Sequence, residues 1–264
     1  MALGLPNFGN TCYINSIIQC LRYQRNFVKL LKDYKYDNDT EFHKDFIDLM
    51  FANASNEVLQ SFIQLLSEEN KEFALWKQCD AHELFIFLID SFYEKHTIEN
   101  PFQGEYMQTI TCLKCFHISS TKQKFNSLSL PINEEKNTEE LIQDFEKEEN
   151  VIYQCEKCNH TQCQKKIKVH TYPSTLVIQL KRFNGTDKID TPIKLDNFLS
   201  YKLTAVCNHS GNTSSGHYTA AVKKSNSYMM ISDNVCQELS VLPEKSNFPY
   251  LLFFERYKRK RISS

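Results

Sequence analysis

Four of the ten cysteines in this 264-residue chain stand in two Cys-x-x-Cys turns, Cys112 with Cys115 and Cys155 with Cys158. A turn of that length aims two thiolates at one ion, and two such turns supply the ligands of a closed tetrahedral zinc site. The 39 residues between the pairs exceed the spacing of common small zinc motifs. Spacing alone therefore leaves an unmetallated pair of turns open. Cys163 and His160 stand close enough to the second pair to substitute as ligands, ranked behind the four paired cysteines.

Cys12 has a different setting. It falls at the first turn of a helix whose Ile14, Ile17, Ile18 and Leu21 recur at i, i+3, i+4 and i+7, with Asn10 or Thr11 available as cap. Free N–H groups and the helix dipole there favour a thiolate, lowering a cysteine pKa from about 8.5 into the range of about 3.5–7.5. Position alone fits a small buried hydrophobe equally well. A thiolate enzyme also needs an imidazole to take the thiol proton and return it to the leaving amine. Of eight histidines, His217 follows Gly216 and opens the strand-like run HYTAAVK, a rigid place where backbone and substrate approach closely. A histidine at a strand start is, by itself, more often structural. His217 lies 205 residues after Cys12, a longer gap than the roughly 130–150 of papain-like enzymes but in the same order.

The strings around these residues are more specific than their types. Residues 4–21, GLPNFGNTCYINSIIQCL, resemble the cysteine box of the ubiquitin-specific proteases, and residues 201–222, YKLTAVCNHSGNTSSGHYTAAV, resemble their histidine box. QCDAHEL (78–84), LVIQLKRF (176–183) and YLLFFERY (250–257) resemble further segments of that family, so the likeness runs from Gly4 to Tyr257. The resemblance implies an α+β, papain-like cysteine peptidase with a helical thumb, a β-rich palm and zinc-bearing β fingers. It implies hydrolysis after the C-terminal glycine of ubiquitin, with Cys12 as nucleophile, His217 as general base and Asn7 as the oxyanion donor. His209 is not the base on this reading. One structural zinc held by Cys112, Cys115, Cys155 and Cys158 follows, with Asp80, Phe183 and Tyr218 as contacts for the ubiquitin tail. An inactive ubiquitin-binding scaffold, or a protease for another ubiquitin-like modifier, remains as the alternative.

The chain departs from the family in two places. Cys79 stands where a second glutamine is usual, and Ser232 stands where most members carry the Asp or Asn that orients the histidine. A hydroxyl accepts the imidazole N–H without charge, whereas the next residue, Asp233, would supply charge directly or across a water. Asp233 is therefore expected to matter more to turnover than Ser232.

These side chains need a scaffold of two kinds. Up to about residue 100 the apolar period is helical, and a second helix is expected from Asp80, where Asp80 and Glu83 have capping-box spacing and Phe87 and Ile89 fill the far face. From Gly104 short β-branched and aromatic runs predict strands at 105–111, 124–130, 165–170, 175–183, 201–207, 217–223 and 250–257. Between them, eight acidic residues from Glu134 to Glu149 surround Leu141, Ile142 and Phe145, the pattern of a short surface helix. One catalytic domain over 1–264 is expected, with thumb about 4–100, fingers and palm about 101–257 and a basic tail 258–264.

Composition bounds the partners. With 41% hydrophobic and 24% charged residues and a net charge of −1, the chain is globular, with no global pull toward nucleic acid or an anionic membrane. No run approaches the ~20 apolar residues of a membrane span, and the start MALGLPNFGN lacks the pattern of a signal peptide. An intracellular monomer acting on ubiquitin is expected. Five basic residues in the six from Arg256 to Arg261 read as a nuclear import signal or as a solvated terminus, so the location is cytoplasmic and, on the first reading, nuclear.

Overall fold

A computed structural model of the chain describes residues 4–34, 39–51, 55–185, 187–212 and 215–257. The basic tail beyond Tyr257 lies outside these. The helical period of the first part gives α1 (Cys12–Arg22), α2 (Arg25–Asp33), α3 (Glu41–Leu49), α4 (Asn56–Glu69) and α5 (Ala81–Lys95). The sequence predicts one buried stripe on α1, but every residue from Cys12 to Leu21 is buried, because the helix packs between a β-sheet on one side and α2 and α5 on the other. Asp80 caps α5 as its spacing predicts, with Oδ1 accepting from the N–H groups of His82 (2.6 Å) and Glu83 (3.1 Å). Phe87 is only partly buried.

The chain then runs through β1 (Gly104–Cys112), β2 (Ile118–Phe125) and β3 (Leu128–Pro131), α6 (Thr138–Phe145), and β4 (Glu149–Ile152) and β5 (Gln162–Thr171). A reciprocal capping box between Asn137 and Glu140 starts α6 in the acidic segment. β6 (Thr175–Lys181) leads to the short β7 (Phe183–Asn184), β8 (Asp187–Lys188) and β9 (Ile193–Lys194). The meander β10 (Tyr201–Gly211), β11 (Gly216–Lys224), β12 (Ser227–Ser232) and β13 (Val235–Leu239) follows, and β14 (Lys245–Ser246) precedes β15 (Pro249–Arg256).

Two main sheets result. The fingers are four strands in the order β2-β1-β5-β4, and the palm is seven in the order β13-β12-β11-β10-β15-β6-β3, antiparallel except for the parallel pair β3 and β6. The single strand predicted at 124–130 is broken at Asn126 and Ser127. Asn126 Nδ2 donates to Asp90 Oδ1 at 2.7 Å and Ser127 Oγ lies 2.7 Å from His82 Nε2, so two side chains of α5 turn the chain from fingers to palm.

The central palm strands β6 and β15 are apolar on both faces. Val177, Leu251 and Phe253 pack with the helices, while Leu176, Ile178, Leu252 and Phe254 face a second core with α6 and the base of the fingers. A ladder of rings ties thumb to palm. Phe27 meets Phe102 (centroids 5.2 Å apart), Phe102 meets Phe85 (5.5 Å), and Phe85 meets Phe253 (5.7 Å). Phe27 also touches Phe46 and Phe92 and is fully buried. Phe27→Ala is therefore expected to destabilise the protein by about 3–5 kcal/mol in denaturant unfolding. A change below about 1 kcal/mol would show that this ladder does not join the halves.

Candidate active site and metal centre

Cys12 heads α1 directly against β11 and is 4% exposed. Burial, the largest effect, raises its pKa; the Tyr218 N–H lowers it, the Asp233 charge raises it, and the N–H groups of Tyr13 and Cys12 lower it again. The helix terminus thus does present N–H groups to the sulfur, but desolvation outweighs them. The expectation of a lowered thiol pKa is corrected on this point. Neither expected cap closes the helix end. Thr11 Oγ1 accepts from Phe8 N–H at 3.0 Å and donates to Asn7 Oδ1 at 3.2 Å, and Asn10 Nδ2 donates to the Trp76 carbonyl.

His217 stands at the start of β11, and its Nε2 lies 2.9 Å from Ser232 Oγ at the end of β12. Asp233, at φ 50° in the next turn, points elsewhere. Its Oδ2 accepts from Asn7 Nδ2 at 3.0 Å and its Oδ1 from Asn15 Nδ2 at 2.8 Å. The serine thus meets the imidazole, and the aspartate meets the loop ahead of Cys12. Asn7 is fixed from its other end too, because Oδ1 accepts from Gly9 N–H (2.9 Å), Thr11 N–H (3.3 Å) and Thr11 Oγ1. The Leu5 N–H reaches the Asp233 carbonyl at 3.0 Å. Gly4 lies so close that a Cβ there would sit 2.5 Å from Asn234 Cα.

Asp80, Phe183 and Tyr218 come together with Cys12 in a cleft of about 250 Å³ between thumb and palm. Asp80 Oδ2 accepts from Tyr250 Oη, and Gln78 Nε2 donates across the cleft to the Gly216 carbonyl at 3.3 Å. His209 forms part of the wall, with ring centroids 4.7 Å from Tyr218 and 5.3 Å from Phe183. Burial first and then Lys188 push its pKa down to about 4, so it stays neutral. Gly216 passes so near that a Cβ would lie 2.1 Å from His209 Nε2. Sequence reasoning missed Asn15, Gln78 and Tyr250. All three stand inside segments that resemble the family, 4–21, 78–84 and 250–257, and Asn15 is in addition an amide directly beside the apolar stripe of α1.

At the fingertips the Sγ atoms of Cys112, Cys115, Cys155 and Cys158 all lie within 4.8 Å of one another. Cys112 and Cys158 are 3.6 Å apart, as are Cys115 and Cys155. Four thiolates about 2.3 Å from a tetrahedral zinc would stand about 3.8 Å apart, so the cluster fits a metal ion. The two turns are built alike. Phe116 and Asn159 each follow the second cysteine at φ 57°, and the N–H groups of Cys112 and Cys155 donate to the carbonyls of His117 (2.9 Å) and His160 (2.8 Å). Cys163 is buried beside them and donates to the Tyr153 carbonyl at 3.2 Å.

A sequence profile described as Ubiquitin carboxyl-terminal hydrolase matches residues 3–254. Ubiquitin carboxyl-terminal hydrolase 25 of Arabidopsis thaliana is 29% identical over 324 residues, covering 99% of this chain, which spans 48% of that relative. Ubiquitin carboxyl-terminal hydrolase 8 of Saccharomyces cerevisiae is 27% identical over 333 residues, covering 95% of this chain and 70% of its own length. Among solved structures, the SAGA DUB module of Ubp8, Sgf11, Sus1 and Sgf73 bound to monoubiquitin superposes with a TM-score of 0.82 at 26% identity, over 97% of this chain and 69% of that one. The same module bound to ubiquitin aldehyde gives 0.82 at 24% identity, over 97% and 70%. Because the profile match takes in α1, both cysteine turns and nearly all of the last palm strand, the chain belongs to the ubiquitin carboxyl-terminal hydrolase family.

Proposed function

We propose that this chain is a thiol isopeptidase that hydrolyses the bond after the C-terminal glycine of ubiquitin. One observation carries the reading. At the end of the cleft Cys12 Sγ meets the Tyr218 N–H, the preceding imidazole is held on Ser232, and the Asn7 amide is held on Asp233. With His217 Nε2 on Ser232, Nδ1 is the nitrogen that takes the Cys12 proton. Burial keeps the resting thiol protonated, so the thiolate forms as the proton moves to His217. Attack on the glycine carbonyl gives a tetrahedral oxyanion. The second N–H of Asn7 Nδ2, not needed by Asp233, donates to it. His217 then returns the proton to the departing lysine amine, leaving a thioester. Water, giving its proton to the same imidazole, releases the ubiquitin carboxylate and restores the thiol. Asp80, Phe183 and Tyr218 line the way in, and the Asp80 charge suits a basic tail. The monoubiquitin bound to the similar Ubp8 module supports ubiquitin as the modifier.

Cys12→Ala is expected to abolish release from a fluorogenic ubiquitin C-terminal amide while leaving ubiquitin binding within about threefold. Undiminished cleavage would end the cysteine mechanism, and binding without turnover by the unaltered chain would make it a scaffold. Propargyl-ended ubiquitin should label Cys12, whereas preferential labelling by the same probe on SUMO would change the modifier.

Ser232→Ala removes a neutral bond to the imidazole, of about 1 kcal/mol, and is expected to lower kcat by about fivefold to tenfold. Asp233→Ala frees the oxyanion donor and is expected to lower kcat by about 100-fold or more. Asp233→Ala should also show at the nucleophile. The Asp233 charge raises the Cys12 pKa, so its removal should move the pH profile of Cys12 alkylation to lower pH even as turnover falls. A profile that stays put, or moves up, would show that Asp233 does not act on both groups.

The four clustered cysteines are further proposed to hold one structural zinc per chain. Metal analysis should find one equivalent, lost in Cys155→Ser together with cooperative unfolding of the fingers, since structural zinc contributes about 10–16 kcal/mol of apparent binding free energy. A metal-free preparation that is stable and fully active would overturn this.

A further inference from the structure

Asn15 is an amide within the apolar helix that carries the nucleophile, 2% exposed and one turn beyond Cys12. Its Nδ2 faces three oxygens: the carbonyls of Leu5 and Pro6, both at 3.2 Å, and Asp233 Oδ1 at 2.8 Å. All three are acceptors, so only the NH₂ end can face them, and the orientation of the amide follows. Its own Oδ1 is buried without a hydrogen-bond partner. Such a group at an otherwise apolar position is justified by what its other end holds.

What it holds is a closed circuit. Asn15 bonds Asp233, Asp233 bonds Asn7, and the Leu5 N–H returns to the Asp233 carbonyl. Residues i and i+3 of a helix lie on one side about 5–6 Å apart, so Cys12 and Asn15 move as one body. Ser232, which meets His217, adjoins Asp233 in the same turn. We infer that Asn15 is the positioning residue through which the nucleophile helix sets the Asn7 amide and the Ser232–Asp233 turn in register with Cys12. The inference rests on the peptidase reading above.

The test is a double-mutant cycle read with the fluorogenic ubiquitin amide, with hydrogen exchange of the same proteins. Asn15→Ala should lower kcat by about 10–100-fold with KM within about threefold. In the Asp233→Ala background it should lower kcat by less than about twofold more, because the element it acts through is already gone. Exchange should quicken together in the peptides over 4–11 and 228–236 and stay unchanged in the fingers. Independent multiplicative losses, a change confined to KM, or uniform quickening across the chain would overturn the assignment. If Asn15→Ala fails to fold, Asn15→Ser, which keeps a donor for a carbonyl but is too short to reach Asp233, carries the same cycle. The exchange result decides the inference even if the unaltered chain does not turn over the ubiquitin amide, an outcome that would instead overturn the peptidase reading.

Discussion

A carboxylate in the turn between β12 and β13 is where the loop ahead of Cys12, the helix that Cys12 heads and the serine that meets His217 are tied together. Asp233 accepts one amide on each oxygen, and bonds to an ionised acceptor are roughly twice as strong as neutral ones. Its backbone adopts a left-handed φ of 50°, a conformation that aspartate tolerates better than bulkier residues. Close approach is needed on the other side as well. Gly4 rests on the backbone of Asn234, where any side chain would collide, so the loop lies flat on the turn. From this contact follow the place of Asn7, the entry of the chain into α1, and the end of β12 on which Ser232 meets His217.

The same charge works against the nucleophile. Burial and Asp233 both favour the neutral thiol, and the three N–H groups around the sulfur do not offset them. In the proposed mechanism, the carboxylate that steadies the Asn7 amide thus leaves thiolate formation to the imidazole. The neutral Ser232 partner has a consequence here. A carboxylate on His217 would stabilise imidazolium directly, whereas a hydroxyl fixes the ring without doing so. The negative charge is one residue away, on Asp233, where it meets the amides of Asn7 and Asn15. One aspartate supplies ring orientation and charge together in a Ser-His-Asp triad, whereas here Ser232 meets the ring and the Asp233 carboxylate meets the amides of Asn7 and Asn15.

Much of this architecture was legible in the residues. Two similar cysteine turns, the capped start of α5 and the strand runs other than 124–130 are local patterns, and each appears within a few residues of its expected limits. The site was legible as far as types and order could carry it, to Cys12, His217 and the residues of the cleft. The division of labour between Ser232 and Asp233 was not, because adjacent residues at a turn differ in direction by geometry that no spacing encodes. The break at Asn126 was hidden for a similar reason, since the groups that cause it, Asp90 and His82, lie on a distant helix. The thiol was misjudged because a helix terminus is local whereas burial under β11 is tertiary.

The fingers obey a different constraint from the rest. Palm and thumb share extensive apolar cores, but β2 and β4 are largely exposed, and at the far end of the four-stranded sheet the buried residues are Cys112, Cys155 and Cys163, packed with Ile110 and Val151. A cluster of that size buries too little apolar surface to offset the ordering of two turns and the strands they join. Sulfur, not hydrocarbon, occupies the position of a core. Thiols have little mutual attraction and four thiolates repel one another, which is why the proposed zinc would supply what the packing of this end lacks. On the proposed reading the fingers are the element whose order would depend on metal, while Cys12 and Asn7 are placed by the amide and carboxylate circuit at the palm sheet.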